Sequence, residues 1–159
     1  STNDEEITLN VSQNQINVIG TEFSFTSKLI EGNYPDYEKV FPVGDESKLI
    51  VDKNEFNTAL SRASVLSNEK YRGIRLSLNK DLLKIEANNP EKESAEEEIK
   101  VDYSGPELEI GFNISYLQES LTTIKDLSAE IVFFGQESSC IVKNKENEDL
   151  IHVIMPMRL

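Results

Sequence analysis

Three features of the 159-residue chain predict an α+β protein built from antiparallel sheets and two helices. Apolar residues alternate with polar ones through most of its length, which is the period of a strand with one buried face. Two stretches break that alternation with helical spacing, and each begins at a side chain suited to capping a helix. The order strand, helix, strand, strand, strand then occurs twice in succession over residues 47–159.

The elements follow in order. Ile7, Leu9 and Val11 alternate with polar neighbours, as do Ile16 and Val18, and then Phe23 and Phe25. With Ser12-Gln13-Asn14 and Ile19-Gly20-Thr21 as turns, they predict three short antiparallel strands over residues 6–28. These match the last three strands of a further unit without its first strand and helix, so the chain is expected to begin inside a domain. A loop through Pro35 and Pro42 comes next.

Leu49-Ile50-Val51 predicts a short strand, and Asp52-Lys53-Asn54-Glu55 carries the spacing of a capping box. Phe56, Ala59, Leu60 and Ala63 recur at helical spacing to about Leu66, with Asn57, Ser61 and Arg62 on the opposite face. Strands are expected at about 72–79, 82–88 and 94–101, separated by Asn79-Lys80-Asp81 and Asn88-Asn89-Pro90. The second unit opens on the strand Leu108-Glu109-Ile110. Asn113 caps a helix with Ile114, Leu117, Leu121 and Ile124 on one face, and strands follow near 129–134, 139–143 and 150–155.

Composition narrows the function. A formal charge of −13 and a pI near 4.5 disfavour a nucleic-acid binder that works by a basic outer surface, though a local basic patch stays open. Cys140 has no second cysteine to pair with, and with His152 it leaves little material for a Cys/His metal site. Those two residues fall on neighbouring predicted strands, but no third group completes a nucleophile motif. The run Glu91-Lys92-Glu93-Ser94-Ala95-Glu96-Glu97-Glu98 lacks the glycine and ligand spacing of a calcium loop and fits a solvated hairpin. No glycine-rich phosphate loop is present, so neither catalysis nor a cofactor or metal is expected. No apolar run approaches the roughly 18 residues that span a bilayer, and the first residues lack the pattern of a signal peptide; a cytoplasmic protein is expected.

Two segments combine proline with large apolar side chains: Gly32 to Pro42, and Val153-Ile154-Met155-Pro156-Met157-Arg158-Leu159. Proline cannot continue a central strand, and the two thioethers are adaptable. The residues alone leave open whether this tail walls a groove or folds into its own core.

Five stretches carry a resemblance: Phe25-Thr26-Ser27-Lys28-Leu29, Tyr34-Pro35-Asp36-Tyr37, Leu66-Ser67-Asn68-Glu69-Lys70-Tyr71-Arg72-Gly73, Ala87-Asn88-Asn89-Pro90-Glu91 and Met155-Pro156-Met157-Arg158-Leu159. Over its whole length the chain resembles the C-terminal part of the bacterial DNA sliding clamp family, the beta subunit of DNA polymerase III. The resemblance implies the end of a middle clamp domain over 1–43 and a third clamp domain over 44–159, with sheets outside and two helices inside a ring. It implies a processivity factor without catalytic activity, whose full-length homodimer encircles duplex DNA without sequence preference. Polymerases, the clamp loader and repair proteins would bind it through short Gln/Leu/Phe motifs.

The resemblance assigns residues as well. Pro35 and Val40 from the loop, with Val153, Met155, Pro156, Met157, Arg158 and Leu159 from the tail, would wall the partner-peptide pocket. The loop and the tail are thus expected to converge. Asn113, Tyr116 and Ser139 would border the adjoining groove. Lys53, Arg62 and Lys125 would face DNA, although each also fits an ordinary solvated cation. Val65 and Leu66 would contact the other subunit, although helix-end packing accounts for them equally. A stand-alone acidic β-rich interaction domain with no DNA role is the alternative.

Overall fold

The computed structural model describes residues 6–34, 36–68, 70–145 and 150–158. Two compact units, Ser1–Asp36 and Tyr37–Leu159, divide the chain. The smaller is an antiparallel meander of β1 (Thr8–Val11), β2 (Gln15–Ile19) and β3 (Ser24–Lys28), in that order. Ile19 closes β2 instead of opening the turn. The register sets Leu9 opposite Val18 and Val18 opposite Phe25, so pleating gathers Leu9, Val11, Ile16, Val18 and Phe25 on one face. Asn17 on the other face donates to Thr26 Oγ1 at 2.8 Å.

The larger unit begins with a single 3-10 turn, Tyr37–Val40. It continues with β4 (Ser47–Asp52), α1 (Lys53–Ser64), β5 (Gly73–Asn79), β6 (Leu82–Asn88), β7 (Ser94–Lys100) and β8 (Asp102–Tyr103). Then come β9 (Leu108–Asn113), α2 (Ile114–Thr123), β10 (Ser128–Phe133), β11 (Cys140–Asn144) and β12 (Ile151–Ile154). The twofold strand, helix, strand, strand, strand order is present, with β8 as an addition between the repeats. That two-residue strand is too short to show a period in sequence; it exists because Leu49 and Ile50 of β4 offer it an edge.

Both helices start where their caps dictate. The Asp52 carboxylate accepts the Glu55 amide at 2.8 Å, and the Asn113 side-chain oxygen accepts the Ser115 amide at 2.9 Å. Helix α1 ends at Ser64, two residues short of the apolar pattern, because Val65 and Leu66 turn away with amides bonded to the carbonyls of Arg62 and Ala63.

The sheets interleave the repeats. One runs β12-β11-β10-β4-β8 and the other β7-β6-β5-β9, so the first strand of each repeat joins the sheet of the other. Val51 pairs with Ala129 and Leu76 with Ile110. Phe56, Ala59, Leu60 and Ala63 of α1 and Ile114, Leu117 and Leu121 of α2 share one core with the inward residues of both sheets. Burying each leucine or phenylalanine there contributes about 2–3 kcal/mol. The solvent sides of the helices are thereby left as one polar layer.

Candidate partner-binding site and helical layer

The tail is a strap between the sheets. Strand β12 pairs with β11 from Ile151 opposite Lys143 to Ile154 opposite Cys140. Pro156, with no amide to give, ends that pairing. The next residue, Met157, donates its amide to Gly111 of β9 at 2.9 Å, so the chain leaves one sheet and ties to the free edge of the other.

This crossing arranges the tail side chains. Ile154 is buried, so Val153 and Met155 point to the other face of the sheet; Val153 is half-buried and Met155 is 62% exposed. Extending the register by one step sets half-buried Ser139 opposite Met155. Pro156 and Met157 are half-buried and Arg158 is exposed. Asn113 does double service: besides capping α2, its amide donates to the Tyr71 carbonyl at 3.2 Å, while Ile114 donates to the Arg72 carbonyl at 2.9 Å. Tyr116, one turn into α2, is 58% exposed. Val40 lies half-buried in the 3-10 turn. Pro35 and Leu159 lie outside the described residues.

Met157 and Arg158 also close a cavity of about 300 Å³ with Asn68, Tyr71, Gly73 and Asn88. These four lie in stretches that carry the family resemblance, but sequence reasoning assigned them no site role. The available signal was Tyr71, an aromatic in a polar turn, which is 55% exposed. Gly73 opens β5 and is buried among the cavity's lining residues.

The helical layer has its own chemistry. Lys53 does not extend into solvent; its ammonium donates to the Ile124 carbonyl at 2.8 Å. Arg62 forms a two-pronged bond with Glu97 of β7, Nε to Oε1 at 2.8 Å and Nη2 to Oε2 at 2.6 Å. That hydrogen-bonded pairing raises the guanidinium pKa and holds the Glu97 carboxyl below the usual carboxylate range. Gln118 of α2 donates to Ser61 Oγ at 2.9 Å and Asn57 Oδ1 at 3.2 Å on α1, which joins the helices. Lys125 is exposed just beyond α2, with its amide bonded to Asn144 Oδ1 at 3.0 Å. Across both helices the charged residues are Lys53, Glu55, Arg62 and Glu119, so cations and carboxylates balance in a chain of net charge −13. At the end of α1, Val65 is 78% exposed and Leu66 is half-buried.

Cys140 is buried in β11, and burial pushes its thiol up to about 12. His152 is bonded through Nε2 to Thr123 Oγ1 at 2.6 Å. The register puts His152 opposite Val142 and Cys140 opposite Ile154, so the two are not direct partners across the ladder. No helix among the described residues is long and apolar enough to cross a membrane.

Comparison with known proteins agrees with this architecture. The family model for the DNA polymerase III beta subunit, C-terminal domain, matches residues 38–158. The beta sliding clamp of Pseudomonas aeruginosa is 47% identical over 156 residues, 98% of this chain and 42% of the relative. That of Escherichia coli K12 is 40% identical over 156 residues, 98% of this chain and 43% of the relative. Among solved structures, a Pseudomonas aeruginosa sliding clamp crystallised with a ligand superposes with a TM-score of 0.91 at 46% identity, covering all of this chain and 43% of that one. A Bartonella birtlesii sliding clamp bound to griselimycin gives a TM-score of 0.89 at 31% identity over 96% of this chain and 41% of that one. The chain therefore spans less than half the length of the relatives it matches. With the family model covering most of the chain, and with these identities and this superposition, the chain belongs to the DNA polymerase III beta subunit family and carries its C-terminal domain.

Proposed function

We propose that the full-length protein is a bacterial sliding clamp: a non-catalytic processivity factor whose homodimeric ring encircles duplex DNA and tethers polymerases and other replication proteins in the cytoplasm. The observation that carries this is the helical layer. It is uncharged on balance while the whole chain is strongly acidic, so it repels phosphates less than the molecule does on average. A ring holds DNA by topology, so the layer needs neither base contacts nor high affinity. In this reading residues 1–43 belong to the middle domain and 44–159 form the third, Lys53, Arg62 and Lys125 lie along the DNA side, and Val65 and Leu66 meet the other subunit.

Partner peptides, including those of the clamp loader and repair proteins, take the tail surface. Val153, Met155, Pro156 and Met157 supply apolar wall, with Tyr116 and Asn113 beside them, and Val40, Ser139 and Arg158 take part; the family resemblance adds Pro35 and Leu159, which lie outside the described residues. Burying about 100 Å² of a partner leucine or phenylalanine there contributes on the order of 2–3 kcal/mol. Exposed, adaptable Met155 suits a site that accepts several peptides of the Gln/Leu/Phe type.

The test is topological. Full-length protein loaded on nicked circular DNA should stay bound and slide off once that DNA is linearised. Equal retention on both forms would overturn the clamp reading, as would loss from both.

A further inference from the structure

Met157 and Arg158 line a second hollow, of about 370 Å³, with Gly111 of β9 and with Gln136 and Glu137 at the tip of the turn between β10 and β11. Arg75 and Glu109 also line it and are bonded to each other, Nη1 to Oε1 at 3.0 Å, so their charges cancel. Glu137 is different. It is exposed, and among the described residues its carboxylate has no hydrogen-bond or ion-pair partner. Arg158, the remaining charge, borders this hollow and the cavity beside Tyr71 alike, so it can turn towards either. The hollow joins the tail surface at Met157, and Glu137 stands two residues before Ser139, which lies opposite Met155.

We propose that Glu137 is a specificity-determining residue for partner peptides: it selects a lysine or arginine flanking the apolar motif, whose hydrocarbon stem lies along Met157 and Gly111 while its charged head meets the carboxylate. The inference rests on the partner-peptide reading above, because it requires the motif to be seated on the tail. A basic side chain suits the hollow in both its parts, since the long stem gains apolar cover and the head stays partly in water beside an anion. An acidic flank would instead bring like charge to Glu137, in a chain whose net charge is already −13. The consequence is a ranking among partners that share one motif. A charge at the edge of a site acts on encounter and choice of partner more than on the affinity of the buried part.

The test titrates the full-length protein with fluorescent peptides that carry one Gln/Leu/Phe motif flanked, at one end or the other, by a pair of lysines, alanines or glutamates. At low salt, lysines at one of the two ends should tighten binding up to about fivefold over alanines, the range of an exposed ion pair, and glutamates there should weaken it. Raising the salt should merge the three affinities. Glu137→Lys should reverse their order, and Asp102→Lys should keep it. Asp102 lies on β8, at the opposite edge of the five-stranded sheet from β12, and its replacement changes the net charge by the same amount, which separates a local contact from the field of the whole chain. Equal affinities for the three peptides at both ends would overturn the assignment. So would a reversal by Asp102→Lys as complete as that by Glu137→Lys, which would mean that net charge alone sets the order. Failure of the alanine-flanked peptide to bind the parent protein would instead remove the partner-peptide reading, and the flank preference with it.

Discussion

The ammonium of Lys53, the first residue of α1, donates to the carbonyl of Ile124, the residue that closes α2, at 2.8 Å. The Lys53 amide donates to the Leu127 carbonyl at 2.9 Å in the same place. The start of one helix is thus bonded to the end of the other, and the cation meets the negative end of the α2 dipole. Replacing Lys53 by Met keeps the length and removes the charge-assisted bond. Because the site is only partly buried, the expected loss is about 1 kcal/mol, seen as a lower urea midpoint with unchanged slope.

Met155 is exposed and the amide of Met157 is engaged, so the two methionines should respond differently. Met155→Ala should leave stability within about 0.5 kcal/mol while weakening partner-peptide binding by the full-length protein roughly tenfold in calorimetric titration. Ending the chain after Met155 should remove peptide binding and also cost about 1 kcal/mol, because the strap to Gly111 goes with it.

Gly105 has no room for a side chain. A Cβ there would lie 2.6 Å from the Tyr103 hydroxyl and 2.9 Å from Ser47 Cβ. Tyr103 cannot give way, since it is fully buried and its hydroxyl donates to the Pro106 carbonyl at 2.6 Å. Gly105→Ala should therefore destabilise by about 1–3 kcal/mol in thermal or denaturant unfolding, the range for overpacking.

Cys140 should be inert while the protein is folded. Its thiol is raised from 9.0 to about 12 by burial, so the folded state retains a proton that the unfolded chain gives up at lower pH. The resulting stability is complete below pH 9.0 and declines as pH rises from there towards about 12. At pH 8, alkylation by a maleimide should occur only at the rate of unfolding, and added denaturant should release it.

The Arg62–Glu97 bond should weaken in acid. Glu97 has a pKa below the usual carboxylate range, so its favourable contribution is present above that range and is lost as pH falls through the lowered value. A double-mutant cycle of Arg62→Gln and Glu97→Gln should show coupling at neutral pH and none once Glu97 is protonated.

Local features were legible in the sequence because local chemistry determines them. Asp52 and Asn113 mark helix starts since a cap bonds to an amide two or three residues away. The apolar faces of α1 and the strands follow from period, and Pro156 as a stop follows from its missing amide. The exposure of Tyr116 is foreshadowed too, because it falls on the polar side of the α2 pattern, whereas Met155 shares its strand face with Val153 and Ile151 and its exposure was open until the structure showed it.

What the sequence determined, then, is the order of the elements apart from β8 and the 3-10 turn, the two repeats, the balance of charge on the helices and the family. The tertiary structure alone decided which distant groups meet: β4 with β10 and β9 with β5, Met157 with Gly111, Lys53 with Ile124, Arg62 with Glu97, and Tyr71 beside the tail. The reason is physical. Period and capping report the few neighbours a residue meets within one element, whereas a lysine reads as solvated and an edge reads as free until packing brings a carbonyl or carboxylate from tens of residues away.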